Sequence, residues 1–261
     1  MSSKVYNRQA FIALQSIITK EITRYFRIWI QTLLPPAITM SLYFVIFGKL
    51  IGSRVGMMEG VSYMEYITPG IIMMSVITNS YSNVASSFYS AKFQRNIEEL
   101  LVAPVPTLFI LLGYVFGGVS RGLITGLVVT LVASQFVELH IHNYAIVFFV
   151  IFLTSMMFAT AGLVNAVFAK SFDDISIIPT FVLTPLTYLG GVFYSIKMLP
   201  DFWQNISLAN PVLYMVNGFR YGFIGFSDIP IEHALILISV FILSLFSVAY
   251  YLLIKGIGIR A

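Results

Sequence analysis

Residues 92–106 read KFQRNIEELLVAPVP, a densely charged stretch of helix length that lies between two long apolar runs. Ile97, Leu100 and Leu101 fall on one face of a helix because they are spaced at i, i+3 and i+4, and two glutamates lie beside them. Two prolines near the end of the stretch predict that this helix stops before the next apolar run. An apolar face with charged flanks favours a docking element for a partner outside the lipid. A merely solvated connecting turn is the alternative.

The composition of the whole chain predicts a membrane protein. The 261 residues are 58% hydrophobic and 10% charged, whereas soluble domains are about 45–50% apolar and about 25% charged. A helix needs about 20 apolar residues to cross a bilayer, and runs of that length recur. The absence of cysteine excludes disulfides and cysteine-ligated metal centres. The net charge of +4 is small, and its basic residues lie beside apolar runs. This arrangement favours contact with anionic lipids and gives no indication of nucleic-acid binding.

The predicted fold is all-α, with six membrane-spanning helices in a single transmembrane domain over residues 1–261. The spans are predicted at residues 33–52, 66–90, 107–136, 144–168, 175–195 and 233–254. Residues 8–31 predict an amphipathic helix in the membrane interface, since apolar and basic residues form two stripes at helical spacing. A charged extension of the first span is the alternative. Residues 196–230 are cut by charged residues and prolines, which predicts two short re-entrant helices on the outer face, at 201–208 and 211–223.

Four features inside the spans bear on how the helices are arranged. Polar residues at helical spacing on the second span should face protein or water, where they form either interhelical hydrogen bonds or a substrate path. Glycines repeat on the third span, which predicts the close approach of another helix. Arg121 lies among these glycines, and a functional role, snorkelling and structural pairing are all open for it. Two prolines inside the fifth span, Pro179 and Pro185, predict a bend.

The distribution of basic residues predicts the orientation. Six spans put both termini on one side, together with the loops at 92–106 and around Lys170. That side carries ten basic residues: Lys4, Arg8, Lys20, Arg24, Arg27, Lys92, Arg95, Lys170, Lys255 and Arg260. The opposite side carries four: Lys49, Arg54, Lys197 and Arg220. By the positive-inside rule, both termini and residues 92–106 are cytoplasmic.

The sequence contains no glycine-rich phosphate loop ending in Gly-Lys-Ser/Thr, so no P-loop nucleotide site is predicted within this chain. No Ser–His–acid constellation can be assembled, and no catalytic residue is predicted. His140 and His142 are interpreted as solvated loop residues, without a metal or other cofactor. All eleven acidic residues are expected at loops or boundaries. This expectation disfavours an ion-coupled carrier, which commonly places carboxylates at mid-membrane.

Three passages together resemble the permease subunits of type-2 ABC exporters, a family that exports drugs, lipids and polysaccharides. They are the basic N-terminal helix, residues 93–105, and residues 183–194 with the downstream segment 210–222. Within that family, the chain is similar to a bacterial subgroup called YadH-like permeases. The resemblance covers nearly the whole chain. It implies that two permeases work with two separate ATPase subunits, in the bacterial inner membrane.

The resemblance assigns roles to particular residues. Residues 17–29 correspond to the elbow helix of the family. The helix that couples to the ATPase corresponds to Asn96, Ile97, Glu98, Glu99, Leu100, Leu101, Val102, Ala103 and Pro104. The polar stripe and the prolines suggest that spans two and five flank the path of an amphipathic substrate, with Asn79, Asn83, Thr184 and Tyr188 as its residues. A homodimer of permeases is predicted, with pairing to a second permease left open. A membrane anchor that recruits a cytosolic partner without transport is the alternative function.

Overall fold

The computed structural model describes residues 3–259, with side chains from Arg8 onward, as a bundle of helices. The helices are α1 (Ser3–Arg27), α2 (Trp29–Thr32), α3 (Leu34–Tyr43), α4 (Gly52–Val55), α5 (Tyr63–Phe93), α6 (Asn96–Val102), α7 (Thr107–Ala133), α8 (Tyr144–Phe168), α9 (Asp174–Ile178), α10 (Thr184–Tyr188), α11 (Asp201–Leu208), α12 (Pro211–Ile224) and α13 (Ile231–Lys255). Two π-helical segments, Phe44–Ile51 and Pro179–Leu183, and one 3₁₀ turn, Ile196–Met198, join some of them. Strands β1 (Met57–Met58) and β2 (Val61–Ser62) pair antiparallel.

Within the described residues, four helical stretches are long and apolar enough to cross a membrane: Trp29–Val55, Thr107–Ala133, Tyr144–Phe168 and Ile231–Lys255. The first of these runs from α2 through α4. Helix α5 is longer than any of the four but carries many polar side chains. The helical stretch from α9 to α10 is shorter and ends at Tyr188. Helices α11 and α12 occupy the stretch in which two short helices were predicted.

Helix α5 is the central element of the bundle. It starts at a capping box, in which the Glu65 N–H donates to Ser62 Oγ at 3.3 Å and the Ser62 N–H donates to the Glu65 carboxylate at 2.8 Å. These two bonds satisfy donors that a helix start would leave free. The helix packs against α7, α8 and α12. Most of its length is therefore covered by protein, and its polar stripe is buried at Ser75, Asn79 and Asn83.

Helix α7 uses its glycines for close contacts, as the sequence predicted. A Cβ added at Gly118 would lie 2.5 Å from a Val84 methyl of α5 and 2.7 Å from Ala159 Cβ of α8. A Cβ at Gly113 or Gly117 would instead collide with α1. The glycines thus form two faces of α7, one against α5 and α8 and the other against α1.

Helix α1 packs against α7 along a face that the two-stripe pattern did not predict. Ile17 lies over Gly113, and Glu21 lies over Gly117. Both side chains are buried. The predicted apolar stripe comprises Phe11, Leu14, Ile18, Ile22, Tyr25 and Trp29. Within it only Tyr25 is buried, and Phe11 and Trp29 are 55% and 53% exposed. The two glycines decide which face meets the protein, because they allow the α1 backbone to approach α7 closely.

The fifth predicted span changes helical register at its prolines. Helix α9 passes at Pro179 into a π-helical segment, and α10 resumes at Thr184. A proline lacks the N–H that an α-helix needs at its interior, so a local change in register accommodates it. After Tyr188 the chain turns at Gly190 and Gly191, and Gly191 has a left-handed backbone with φ 70°. The helix therefore ends earlier than the apolar run.

Candidate coupling and translocation sites

Helix α6 follows a sharp reversal at the end of α5. Arg95 has a left-handed backbone with φ 61°, and α6 begins at the next residue. Ala103 returns to an extended conformation just before the prolines. The predicted coupling segment, residues 96–104, is therefore a helix of about two turns with an extended exit.

The apolar face of α6 is directed at the protein itself. Ile97 is fully buried, and Leu100 and Leu101 pack partly buried against the same hydrophobic cluster. That cluster also contains residues of α5, α7 and α8, among them Phe88 and Leu163. Since its side chain is covered by its own chain, Ile97 anchors α6 and is not available to a partner in this conformation.

The exposed side of α6 combines charge with apolar area. Glu98 and Glu99 are exposed, and Val102 is 86% exposed. Two phenylalanines extend this surface: Phe93 at the end of α5 and Phe172 in the loop after α8, with ring centroids 5.5 Å apart. These five residues are called the α6 surface below. It is composite, because two separate loops contribute to it.

Hydrogen bonds join the end of α5 to the end of α8 and close the loop that follows α8. Lys92 Nζ donates to the carbonyls of Val167 at 2.6 Å and Ala169 at 2.8 Å. These groups lie at the end of α8, where carbonyls lack helical partners. The Asp174 carboxylate accepts from the Lys170 N–H at 2.7 Å, and this bond lowers the pKa of Asp174. Hydrogen bonds therefore order the chain on both sides of the α6 surface, at the end of α5 and in the loop after α8.

Two of the four predicted path residues lie in a buried polar cluster, which comprises Glu21, Arg24, Asn79, Asn83, Ser87 and Arg121. Arg24 Nη2 donates to Asn83 Oδ1 at 2.8 Å and to the Asn83 carbonyl at 3.0 Å. Arg121 Nη2 donates to Asn79 Oδ1 at 3.0 Å. Each asparagine thus has an arginine partner from another helix. Arg121 is paired within the protein, and the polar stripe forms interhelical hydrogen bonds.

Glu21 supplies the only carboxylate of this cluster. It is fully buried, accepts a hydrogen bond from Ser87 Oγ at 2.6 Å and pairs with Arg24 at 3.3 Å. That every acidic residue lies at a loop or boundary stays a prediction for Glu21, whose carboxylate is enclosed by protein. The residue lies between α5 and α7 because Gly117 leaves room for it.

The other two predicted path residues, Thr184 and Tyr188, lie together on an exposed face. Tyr188 Oη is 3.3 Å from Tyr43 Oη of α3, and Thr184 Oγ1 donates to the Pro179 carbonyl at 3.0 Å. Phe181, one turn earlier, is 73% exposed. Residues Tyr43, Phe181, Thr184 and Tyr188 are called the aromatic face below. The structure therefore separates Thr184 and Tyr188 from Asn79 and Asn83.

Arg220 of α12, which the charge count assigned to the outer side, is a buried cation. It is fully buried, and its Nη2 donates to the Gly191 carbonyl at 2.6 Å. Its Nε donates to the Tyr66 carbonyl at 3.3 Å, and its guanidinium carbon lies 4.0 Å from the centroid of the Tyr66 ring. Among the residues that the structure describes, its guanidinium has no carboxylate within ion-pair distance. The only sequence signal for it is an arginine within an otherwise apolar helical run, which a snorkelling arginine shares.

A cavity of about 330 Å³ lies at the end of the bundle that contains the start of α5. Glu65, Glu138, His140 and His142 contribute titratable groups to its wall. No three His, Asp or Glu side chains between residues 8 and 259 converge in a way that could hold a metal ion. His140 and His142 are both exposed in the loop between α7 and α8.

Comparison with known proteins identifies the family. The model of the ABC-2 type transporter family matches residues 12–224. The chain belongs to the ABC-2 type transporter family. The inner membrane transport permease YadH of Escherichia coli strain K12 is 59% identical over 251 residues, which cover 96% of this chain and 98% of that protein.

More distant relatives include nodulation protein J of Rhizobium leguminosarum bv. viciae, 25% identical over 185 residues that cover 70% of this chain and 71% of that protein. Nodulation protein J of Rhizobium meliloti strain 1021 is 26% identical over 182 residues, which cover 69% of each chain. The segment that matches the ABC-2 family includes α6, the aromatic face and Arg220. This chain is therefore an ABC-2 transporter permease, and its candidate sites lie within the part that defines the family.

Proposed function

We propose that this ABC-2 permease pairs with a second copy of itself to form the membrane part of an ATP-driven exporter in the bacterial inner membrane. A separate ATPase subunit supplies the energy, because the chain has no P-loop sequence of its own. The observation that carries this proposal is the α6 surface. This surface is amphipathic. It lies on the short helix α6, which packs against the bundle at the end of the central helix α5.

The packing of α6 against α5 would allow α6 to transmit force from a partner to α5. Ile97 is buried in the same hydrophobic cluster as Phe88 of α5, so a push on α6 acts directly on α5. Glu98, Glu99 and Val102 are directed outward and are free to contact a groove on the ATPase. The sequence suggested the apolar face of α6 as the contact with the partner. The contact proposed here is instead the exposed face of α6. Phe93 and Phe172 extend it to the second loop.

Co-purification of the permease with its ATPase tests the docking surface. The paired substitution Glu99→Ala with Val102→Asp should abolish the complex while the permease still inserts and unfolds at its normal temperature. Glu138→Ala, which changes an exposed acid at the opposite end of the bundle, is the matched control and should leave the complex intact. A complex of normal yield with the paired variant would remove the docking proposal.

The proposal includes six spans and an orientation with both termini in the cytoplasm. Six helical stretches, Trp29–Val55, α5, α7, α8, α9–α10 and α13, serve as the proposed spans, with both termini cytoplasmic. The burial of Arg220 leaves Lys49, Arg54 and Lys197 as the basic residues proposed for the outer side, which strengthens the charge asymmetry. Of the basic residues counted for the inner side, the Lys4 side chain and Arg260 lie outside the described residues.

The aromatic face is the proposed contact between two copies and the wall of the substrate path. Hydroxyl groups that face hydrocarbon are unfavourable, yet Tyr43 of the membrane-length stretch Trp29–Val55 and Tyr188 of the shorter α9–α10 stretch place theirs on an exposed face. A second copy of the chain would cover them. Aromatic rings combined with hydroxyls favour an amphipathic substrate, because such a substrate has both apolar surface and hydrogen-bonding groups.

The natural absence of cysteine allows this arrangement to be tested by cross-linking. Phe181→Cys should form a disulfide-linked dimer in membranes upon mild oxidation. Leu243→Cys is the matched control, since Leu243 is 68% exposed on α13 and is proposed to face lipid. Dimers that form equally at both positions, or only through Leu243→Cys, would refute the proposed interface.

ATP hydrolysis that depends on the permease distinguishes an exporter from a membrane anchor that only recruits a partner. The permease and ATPase, reconstituted together in lipid vesicles, should hydrolyse ATP at a rate that depends on the permease. An anchor would bind the partner without changing its ATP hydrolysis. A rate identical with and without the permease would therefore favour the anchor.

A further inference from the structure

Arg220 lies where three parts of the chain meet: helix α12, the first turns of α5, and the turn that follows α10. It binds a backbone carbonyl of each of the other two parts, Gly191 at 2.6 Å and Tyr66 at 3.3 Å. Its side chain is fully buried. We infer that Arg220 is a positioning residue for transport, which transmits movement of α5 to the segment that ends the fifth span. This inference rests on the proposed function.

The segment after α10 is held from the side of α12 by several contacts. Asn210 Nδ2 donates to the Leu186 carbonyl at 2.6 Å. Ser195 Oγ donates to the Asp228 carboxylate at 2.6 Å. Together with Arg220, these bonds fix the segment at three points along its length. The end of the fifth span therefore follows α12.

The same segment also contacts α5. Tyr63 Oη donates to the Phe193 carbonyl at 3.1 Å, and a Cβ added at Gly70 would lie 2.7 Å from the Val192 carbonyl oxygen. These contacts are a neutral hydrogen bond and a packing contact. Arg220 differs, because one charged group binds α5 and the segment at once. Hydrogen bonds from a charged donor are about twice as strong as neutral ones.

Movement can be transmitted from α6 to the aromatic face along α5. Helix α5 contains 31 residues and spans about 46 Å at 1.5 Å per residue. One end carries α6 through Arg95, and the other end holds Tyr66 against Arg220. Tyr188 lies only three residues before Gly191. A displacement of α5 driven at α6 can therefore reach Tyr188 through Arg220.

A reporter cysteine next to the segment tests this relay. Met198 is 66% exposed and follows the segment in the 3₁₀ turn. In the purified complex of Met198→Cys permease with its ATPase, addition of ATP should change the rate at which a maleimide labels the thiol. Arg220→Gln should abolish this ATP-dependent change while the complex and its ATP hydrolysis persist. Arg220→Lys keeps the charge but not the planar fork that reaches two carbonyls, and should give a reduced change.

Ser195→Ala is the matched control, because it removes the hydrogen bond from the same segment to Asp228 and leaves both backbone carbonyls that Arg220 binds in place. It should preserve the ATP-dependent change in labelling. A full change in either Arg220 variant, or an equal loss in Ser195→Ala, overturns the relay. If Arg220→Gln does not accumulate, Arg220→Lys decides the question. Failure of the unaltered permease to bind any ATPase would instead refute the proposed function.

Discussion

Replacing Glu21 with alanine should destabilise the protein strongly. Removal of one partner of a buried ion pair costs about 3–5 kcal/mol when the other charge is stranded. Arg24 is not fully stranded, because its side chain is 30% exposed and it retains both bonds to Asn83. The expected loss is therefore about 2–3 kcal/mol. At roughly 2–4 °C per kcal/mol for a chain of this size, the melting temperature should fall by about 5–10 °C.

Thermal unfolding of the purified permease in detergent micelles, followed by circular dichroism, measures this effect. Glu21→Gln keeps an acceptor for Ser87 and should lose only about 1 kcal/mol, the value of a typical hydrogen-bond change. A double-mutant cycle with Ser87→Ala should give a coupling energy within the range of about 0.5–3 kcal/mol found for residues in contact.

Lys20 provides the control, because it is exposed one residue before Glu21. Lys20→Ala should change stability by no more than about 0.5 kcal/mol. If Glu21→Ala melts within about 1 °C of the unaltered protein, less than the shift that 1 kcal/mol would give, Glu21 is solvated. In that case α1 does not pack against α5 and α7, and the placement of the buried polar cluster is refuted.

Three further predictions follow from other contacts. Gly118→Val places a Cβ 2.5 Å from a Val84 methyl, so overpacking should cost about 1–3 kcal/mol in the same unfolding assay. Arg121→Met leaves the buried Asn79 amide oxygen without this donor and should cost about 1–3 kcal/mol; unchanged stability would show that the bond is not formed. The Asp174 carboxylate has a lowered pKa because backbone N–H groups donate to it, so its stabilisation of the loop should be complete above about pH 4 and lost as the pH falls below that value. Amide hydrogen exchange in this loop at neutral pH should therefore be faster in Asp174→Asn, and equal exchange rates would contradict the assignment.

The sequence predicted those features that depend on local patterns. Helix α6 covers Asn96–Val102, within the charged stretch for which the apolar spacing and the two prolines predicted a short helix. The glycines of α7 likewise identified a surface for close helix contact. Both signals lie within one segment of the chain, so no knowledge of the neighbouring helices was needed.

The features that the sequence did not predict depend on which helices meet. In a soluble protein the apolar stripe of a helix marks its buried face, but lipid is as apolar as a protein core and removes that distinction. The buried face of α1 therefore carries Glu21 while Phe11 is exposed. Arg220 shows the same limit: an arginine near the end of an apolar run has the same local sequence whether it snorkels or binds two carbonyls inside the bundle.

The contacts divide the bundle into a tightly joined part and a more loosely joined part. Helices α1, α5 and α7 are linked by the buried polar cluster and by glycine contacts, so we expect them to move as one body. The α9–α10 stretch keeps Phe181 and Thr184 exposed, and the turn that follows it is bound to α5 mainly through Arg220 and Tyr63. Under the proposed function, ATP-driven movement of α5 would reach this stretch through these few bonds, of which those of Arg220 are the charged ones. The aromatic face on it would then be remodelled while the docking end of the bundle keeps its shape.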